Sequence, residues 1–175
     1  MKTRFTLPLC VTILLCLAFS AYAQLQPAPE LKKLNYFAGT WDAEGEIKAG
    51  PLSPGGKFTD TNRVAWMEGG FFLVTHSEFS GAMGHGVETA YMGYDGESKM
   101  YTYDSFNSLG EADHAQGRLE GDTWTWLSET TMGPQTVKGR LTMKVVSPTA
   151  YKFKFETSPD GATWTTVLEG HDTKK

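Results

Sequence analysis

The amino-acid sequence predicts an all-β protein: an antiparallel up-and-down β-barrel of about ten strands with a short N-terminal helix capping one end. Three observations lead to this fold class. From Thr40 onward, apolar and polar residues alternate with a period of two in segments of about ten residues. Gly, Pro, Asp and Asn separate these segments, as is typical of tight turns. So many consecutive strands with short connections would leave two exposed sheet edges, and closure of the sheet removes both. A two-layer β-sandwich is the alternative, and the lack of a long Greek-key connection favours the barrel.

The first residues have the pattern of a secretory signal peptide. Lys2 and Arg4 precede the apolar run 7–19, and small residues at 21 and 23 form a cleavage site before Gln24. The run is shorter than the ~20 apolar residues of a membrane-spanning helix. We therefore expect residues 1–23 to be removed from an exported bacterial protein, periplasmic or secreted.

The composition fits one domain that is stabilised by its core. Removal of residues 1–23 leaves about 150 residues, which is enough for a single domain. Both cysteines, Cys10 and Cys16, lie in the removed segment, so no disulfide is expected. Without Lys2 and Arg4, 14 basic residues remain against 20 acidic ones, a formal charge of −6. This charge and the absence of a basic cluster argue against a nucleic-acid partner. The sequence does not predict the oligomeric state.

A tether and a short helix are predicted before the strands. Two prolines disfavour regular structure in residues 24–30. In the following segment, up to residue 37, apolar residues recur every three positions on one face: Leu31, Leu34 and Phe37. A helix of two turns is marginal on its own. We therefore expect its apolar face to cover an open end of the barrel, within a single domain spanning residues 31–175.

Ten strands follow, joined by turns of suitable chemistry. The sequences Glu68-Gly69-Gly70 and Glu120-Gly121-Asp122 are typical of tight hairpins. The predicted strands are 41–48, 58–68, 71–80, 87–94, 100–107, 112–120, 123–132, 136–146, 151–157 and 163–172.

The alternation predicts an interior that is mostly apolar. In the strand 151–157, Tyr151, Phe153 and Phe155 share one face, opposite Lys152 and Lys154. The side chains of an eight-stranded barrel can just fill its interior, and a ten-stranded barrel encloses more room. We therefore expect a cavity for an apolar or amphipathic molecule.

The middle strands have mixed faces. In the strand 58–68, Asp60 and Asn62 share a face with Val64 and Trp66, opposite Arg63. Such faces are typical of a pocket with a few polar anchors, and equally of a barrel with amphipathic walls.

The pattern of helix, Gly39-Thr40-Trp41 and ten strands resembles calycin barrels, in which a Gly-x-Trp sequence at the first strand closes one end. More closely, the chain resembles exported bacterial lipocalin-like proteins that are grouped as a domain of unknown function, and more distantly fatty-acid-binding proteins. The resemblance covers nearly all of the mature chain. It is carried by residues 34–41, Glu68-Gly69-Gly70-Phe71, Met92-Gly93-Tyr94-Asp95 with Tyr101, and residues 160–164. It implies that Gly39 and Trp41 close the barrel and that the interior binds a small hydrophobic molecule.

The preferred functional hypothesis is a binding protein for a fatty-acid-like ligand, without catalysis. An inward-facing Arg63 would need a carboxylate partner from the protein or from a ligand. The apolar part of the ligand would lie against aromatic side chains: Trp66, Tyr101, Tyr103, Trp126 and Phe153. The alternative for Arg63 is an exposed cross-strand ion pair.

Two other functions are retained as alternatives. Nitrobindin-like barrels also combine ten strands with a Gly-x-Trp start, and they bind haem through a late histidine, for which His171 is the candidate here. An enzyme of unidentified type is the second, although the sequence has no Gly-x-Ser-x-Gly elbow, phosphate loop or dinucleotide fingerprint. The four histidines have no metal-ligand spacing, so we predict no metal site.

Overall fold

A computed structural model describes residues 26–50, 53–82, 84–132 and 135–175, with the backbone alone at 131, 132 and 135. The predicted signal peptide and the first two residues of the tether lie outside the described residues. Within the described ranges, no helix has the length and apolar character needed to cross a bilayer.

Ten antiparallel strands form one closed barrel, as predicted. Each strand pairs with the next in sequence, and the last strand pairs with the first, so the sheet has no free edge. The two-layer sandwich is therefore excluded. The strands are β1 (Gly39–Ile47), β2 (Gly56–Trp66), β3 (Leu73–Gly81), β4 (Gly84–Asp95), β5 (Met100–Asn107), β6 (Ala112–Glu120), β7 (Thr123–Met132), β8 (Gln135–Ser147), β9 (Ala150–Ser158) and β10 (Thr165–Lys174).

The predicted strand limits differ from the observed ones mainly at turns. The prediction for β2 runs to residue 68, but the strand ends at Trp66, since Met67 donates its N–H to the carbonyl of Phe72 and closes a turn. The prediction for β10 begins at residue 163, but the strand begins at Thr165. Asp160 accepts the N–H groups of Ala162 and Thr163 and holds them in a turn.

A 3₁₀-helix, Pro29–Tyr36, covers one end of the barrel. It begins within the segment predicted as tether, because proline fits the first turn of a helix, where its missing N–H is not needed. Leu31 and Leu34 are buried, so the expected apolar face is the one that contacts the barrel. The Tyr36 hydroxyl donates to the carbonyls of Ser147 and Ala150 at 3.0 and 2.9 Å, which ties the helix to the β8–β9 turn.

The core under this helix is largely aromatic. Trp41 is 1% exposed, and its indole N–H donates to the carbonyl of Phe37 at 2.7 Å. Phe37 in turn contacts Trp124 and Tyr151 edge-on, with ring centroids 5.4 and 5.6 Å apart. We call this group the aromatic plug; its members are Leu31, Leu34, Phe37, Trp41, Val64, Leu73, Met92, Tyr101, Trp124 and Tyr151.

Glycines in the sheet make room for inward-facing rings. Trp126 of β7 lies over Gly117, its partner on β6, where a Cβ would collide with the indole. Gly45 and Gly170 pair with each other and separate Phe58 from Phe153 in one row around the barrel. The two phenyl rings approach to 6.1 Å across these glycines. The interior wall is therefore lined by rings lying against backbone.

Candidate functional site

The two ends of the barrel interior differ in solvent access. At the helix end, the aromatic plug is almost entirely buried. At the opposite end, inward-facing apolar residues are only partly buried: Phe58, Phe79, Val137, Phe155 and Leu168. Because these side chains point into the barrel and still contact solvent, the interior opens at this end. The helix covers one end of the interior, and we call the solvent-accessible part of the interior at the other end the pocket.

A band of polar side chains lies between the plug and the open end. Asp60 and Asp172 pair with opposite sides of Ala43 on β1, so their carboxyl groups lie on either side of a small residue. Ser77 pairs with Asn62 on one side and Glu88 on the other. We call this band the polar belt; its members are Asp60, Asn62, Thr75, Ser77, Glu88, Tyr103, Ser105, Asp113 and Asp172.

Burial perturbs the carboxyl groups of the polar belt. Asp172 is 3% exposed, and burial together with the charge of Asp60 raises its pKa to about 6, against the hydrogen bonding of Tyr151 and Asn62. Burial also raises the pKa values of Asp60 and Glu88. The Glu88 carboxylate accepts a hydrogen bond from Tyr103 at 3.1 Å, and burial holds the pKa of that phenol well above its usual value.

Three oxygen atoms in the polar belt are buried without a hydrogen-bond partner in the described part of the chain. They are Oδ1 of Asp60, Oγ1 of Thr75 and Oδ1 of Asp172. Buried polar atoms are normally paired, since an unpaired one costs about 1–3 kcal/mol. All three side chains take inward-facing positions; the two carboxylate oxygens are acceptors, and the Thr75 hydroxyl can donate or accept.

The interior has little positive charge to balance its acids. Four acidic residues take inward-facing positions: Asp60, Glu88, Asp113 and Asp172. Over the described ranges, Lys174 is the one basic residue in such a position. Its Nζ lies at the closed end, 3.4 Å from the carbonyl oxygen of Tyr36 and 5.1 Å from the Trp41 ring centroid. The open part of the interior is therefore acidic.

Arg63 does not take the place that the fatty-acid hypothesis required. Its side chain is 58% exposed on the outer wall and contacts Glu78 at 2.6 Å. The alternation along β2 places Val64 inside and Arg63 outside, so the exposed ion pair is the correct alternative. An inward carboxylate anchor at Arg63 is thus wrong.

The aromatic residues predicted for the ligand site fall into two groups. Trp66 and Tyr101 lie at the closed end, where they donate to Asn35 Oδ1 at 2.7 Å and to the Glu30 carbonyl at 3.1 Å. Tyr103 faces the polar belt, and Phe153 is a partly exposed wall of the pocket. Trp126 is 2% exposed and stacks on Trp124 at 6.0 Å behind Tyr103. The structure therefore brings Tyr103 and Phe153 toward the open end of the interior, whereas Trp126 belongs to the buried core.

His171 lies outside the barrel. Its ring is half exposed, and Nε2 lies 3.2 Å from Glu44 on the neighbouring strand. Asp172, the next residue, faces inward, so strand alternation turns His171 away. The haem alternative placed an iron ligand in the interior, and His171 does not provide it.

A protein-family model described as "Protein of unknown function (DUF1579)" matches residues 26–174. The chain belongs to this family. No curated protein matches the sequence significantly.

Solved structures with the same fold are distant in sequence. A protein from M. tuberculosis, Rv2717c, superimposes on the DUF1579 chain with a TM-score of 0.60 and 14% identity, over 86% of this chain and 99% of that one. An S-type phycobiliprotein lyase, CPES from Guillardia theta, has a TM-score of 0.50 and 9% identity, over 82% and 91% of the two chains. At these identities the likeness concerns the fold.

The acidic residues of this DUF1579 protein were not predicted as a site. The sequence signal for this site was that Asp60 and Asn62 share one face of β2 with Val64 and Trp66. When that face points inward, the two polar residues lie inside the barrel. Asp172 is distant in sequence and meets Asp60 only through closure of β10 onto β1. In the described ranges, no three His, Cys, Asp or Glu residues converge closely enough to hold a metal ion.

Proposed function

We propose that this DUF1579 protein is a small-molecule-binding barrel that holds an amphipathic ligand in the pocket at the end of the barrel opposite the 3₁₀-helix. The observation that carries the proposal is the row of inward-facing, partly exposed apolar side chains at the open end. Ligand pockets combine such apolar walls with a few fixed polar groups. Here the walls include Phe58 and Phe153, and the polar belt lies next to them on the side of the 3₁₀-helix.

The ligand has an apolar part, as the fatty-acid hypothesis expected, but it is not anchored by Arg63. The acidic interior disfavours a carboxylate head group, because like charges repel strongly in a poorly solvated pocket. An alkyl or aryl body remains compatible with the walls.

Binding of a neutral fluorescent probe tests this proposal. N-phenyl-1-naphthylamine is uncharged at pH 7 and increases its emission in apolar pockets. We expect the wild type to bind it, and Phe153→Ala to weaken binding about three- to ten-fold, since an aromatic wall contact contributes about 0.5–1.5 kcal/mol.

Phe106→Ala is the matched control, because Phe106 is 57% exposed on the outer wall. It should leave the affinity for the probe unchanged. If the wild type does not bind the probe, or if both variants weaken binding equally, the pocket proposal is wrong.

We also propose that the protein is exported after cleavage between residues 23 and 24. The charged start, apolar run and small-residue site support this. Expression of the full chain in a bacterium, followed by N-terminal sequencing of the protein from the periplasm or medium, should give a chain that begins at Gln24. An uncleaved, cell-associated product would contradict export.

A further inference from the structure

We propose that the polar belt recognises a protonated primary amine, so that the ligand is an amphipathic amine whose ammonium group lies between Asp60 and Asp172. This inference rests on the binding function proposed above and specifies its ligand class.

The charge of the pocket is the first argument. Asp60, Glu88, Asp113 and Asp172 face inward, while the inward-facing Lys174 is engaged at the closed end. A buried carboxylate is costly unless a cation or hydrogen-bond donor meets it. Several outer acids, in contrast, have cationic partners, as in the pairs of Glu78 with Arg63 and Glu169 with Lys48. The side chains that hydrogen-bond Asp60 and Asp172 from inside the barrel, Asn62 and Tyr151, are neutral. A cation from a ligand would supply the positive charge that they lack.

The unpaired acceptors are the second, independent argument. Oδ1 of Asp60 and Oδ1 of Asp172 are buried and have no hydrogen-bond partner in the described part of the protein. Carboxylate oxygens only accept hydrogen bonds, so each of the two requires a donor. A primary ammonium group has three N–H donors, whereas a quaternary ammonium has the same charge and none. The belt therefore favours an amine over a trimethylammonium group.

The neighbouring walls fit the rest of such a ligand. Phe58 lies two residues before Asp60 on β2, and Gly170 lies two residues before Asp172 on β10. The row formed by Phe58, Gly45, Gly170 and Phe153 is thus the next row beside the acids, and its two rings are 6.1 Å apart. An apolar tail against these rings places its head group at the carboxylates. With a pKa of about 6, Asp172 is mostly ionised at pH 7 in the free protein.

Competition among ligands that share one tail tests the inference. Bound N-phenyl-1-naphthylamine is displaced at pH 7 with decylamine, decyltrimethylammonium, decanol or decanoate, which share an unbranched ten-carbon chain and differ at its polar end. We expect decylamine to compete at least about ten-fold better than decanol and decyltrimethylammonium, because only its head group combines a positive charge with N–H donors. Decanoate should compete least.

Substitution of Asp60 and Asp172 tests whether the polar belt causes the preference for decylamine over decanol. In Asp60→Asn/Asp172→Asn, decylamine should lose at least about five-fold in affinity, while decanol competes as in the wild type. Asp104→Asn/Asp122→Asn makes the same charge change on the outer surface, where both side chains lie, and should retain the preference. Circular dichroism verifies that each variant is folded.

The outcomes separate the two proposals. If decanol and the probe bind but decylamine binds no better than decanol, the amine inference is wrong and the pocket stands. A preference for decylamine that persists in the inner double variant also overturns it, and an equal preference for decyltrimethylammonium rejects hydrogen bonding as its cause. If no compound binds, as monitored directly by calorimetry with decylamine, both proposals are wrong. Should the inner double variant not fold, the single variant Asp60→Asn removes one of the two carboxylates and should reduce the decylamine preference about two- to five-fold.

Discussion

Asp172 shows how a single inward-facing residue couples the pocket to stability. In the unfolded chain its pKa is close to 3.8, and in the folded protein burial raises it to about 6. Between these values the folded state binds the proton more tightly than the unfolded state. Ionisation of this group with rising pH therefore destabilises the fold across the window from about pH 4 to pH 6.

The variant Asp172→Asn tests this at the residue scale. Relative to the wild type, its free energy of unfolding should rise as the pH increases from about 4 to 7, by at most about 3 kcal/mol, because each pKa unit corresponds to about 1.4 kcal/mol. Urea unfolding at a series of pH values measures the difference. Asp104→Asn, on the outer wall, serves as the control, and an Asp172→Asn difference that does not change with pH would contradict the assigned pKa shift.

Ionisation of a second carboxyl group, that of Asp160, has the opposite effect on the stability of the fold, at lower pH. Asp160 accepts hydrogen bonds from Ser158, Ala162 and Thr163 in the β9–β10 turn, and the two backbone donors, followed by Ser158, lower its pKa to about 2. The stability from this turn is present above the unfolded pKa of 3.8 and is lost as the pH falls toward 2. The two carboxyls thus affect separate pH windows.

At the scale of the elements, strand alternation assigns the faces correctly but does not predict burial on the outside. Glu156 faces outward on β9 and is nevertheless 6% exposed. Arg140 donates to it twice, at 3.0 and 2.8 Å, and Lys154 contacts it at 2.7 Å. The Arg140 guanidinium also lies 4.0 Å from the centroid of the Trp164 ring, so the β9–β10 turn covers this pair. Burial opposes ionisation of Glu156, but the hydrogen bonds of Lys154 and Arg140 outweigh it and lower the pKa.

The outer face of β8 and β9 contains an unfavourable pair of like charges. Lys144 of β8 lies directly opposite Lys152 of β9, and both side chains are exposed. We expect Lys144→Glu to raise the free energy of unfolding by about 0.2–1 kcal/mol, since it replaces a like-charge pair with an opposite-charge pair.

The gain from Lys144→Glu should decrease with added salt, because exposed charges are screened. Urea unfolding at low and high ionic strength measures it. Lys32→Glu makes the same charge change on the exposed side of the 3₁₀-helix and is the control. Equal effects of the two variants would indicate a response to net charge rather than to the cross-strand pair.

At the scale of the whole molecule, closure of the barrel and covering of one end create the pocket. Pairing of β1 with β10 brings residues more than a hundred positions apart into register, such as Trp41 and Lys174. The same region holds the helix through Trp41 and Tyr36. One end is therefore sealed where the two ends of the described chain meet.

Trp41→Ala tests this seal. Because the indole is 1% exposed and packs against Tyr36 and Tyr151, its truncation should lower the free energy of unfolding by about 3–5 kcal/mol. Urea unfolding of both proteins measures the change. A loss of less than ~1 kcal/mol, well below the usual cost of removing a buried tryptophan, would show that the helix end is held by other contacts.

The sequence by itself determined the fold class, the ten strands and the inward face of a strand with one cleanly apolar face, such as β9, because period-two alternation and turn chemistry are local properties. It also placed Trp41 and the helix at the start of the barrel.

The tertiary structure decided which polar residues meet. Asp60 and Asp172 lie 112 positions apart in sequence and become neighbours through closure of the sheet around Ala43. Likewise, the alternation allowed either face of β2 to point inward, and only the packing of Val64 and Trp66 under the helix turned Arg63 to solvent and Asp60 into the pocket. The character of the pocket follows from that choice, because burial in a closed barrel gives the acids their perturbed pKa values.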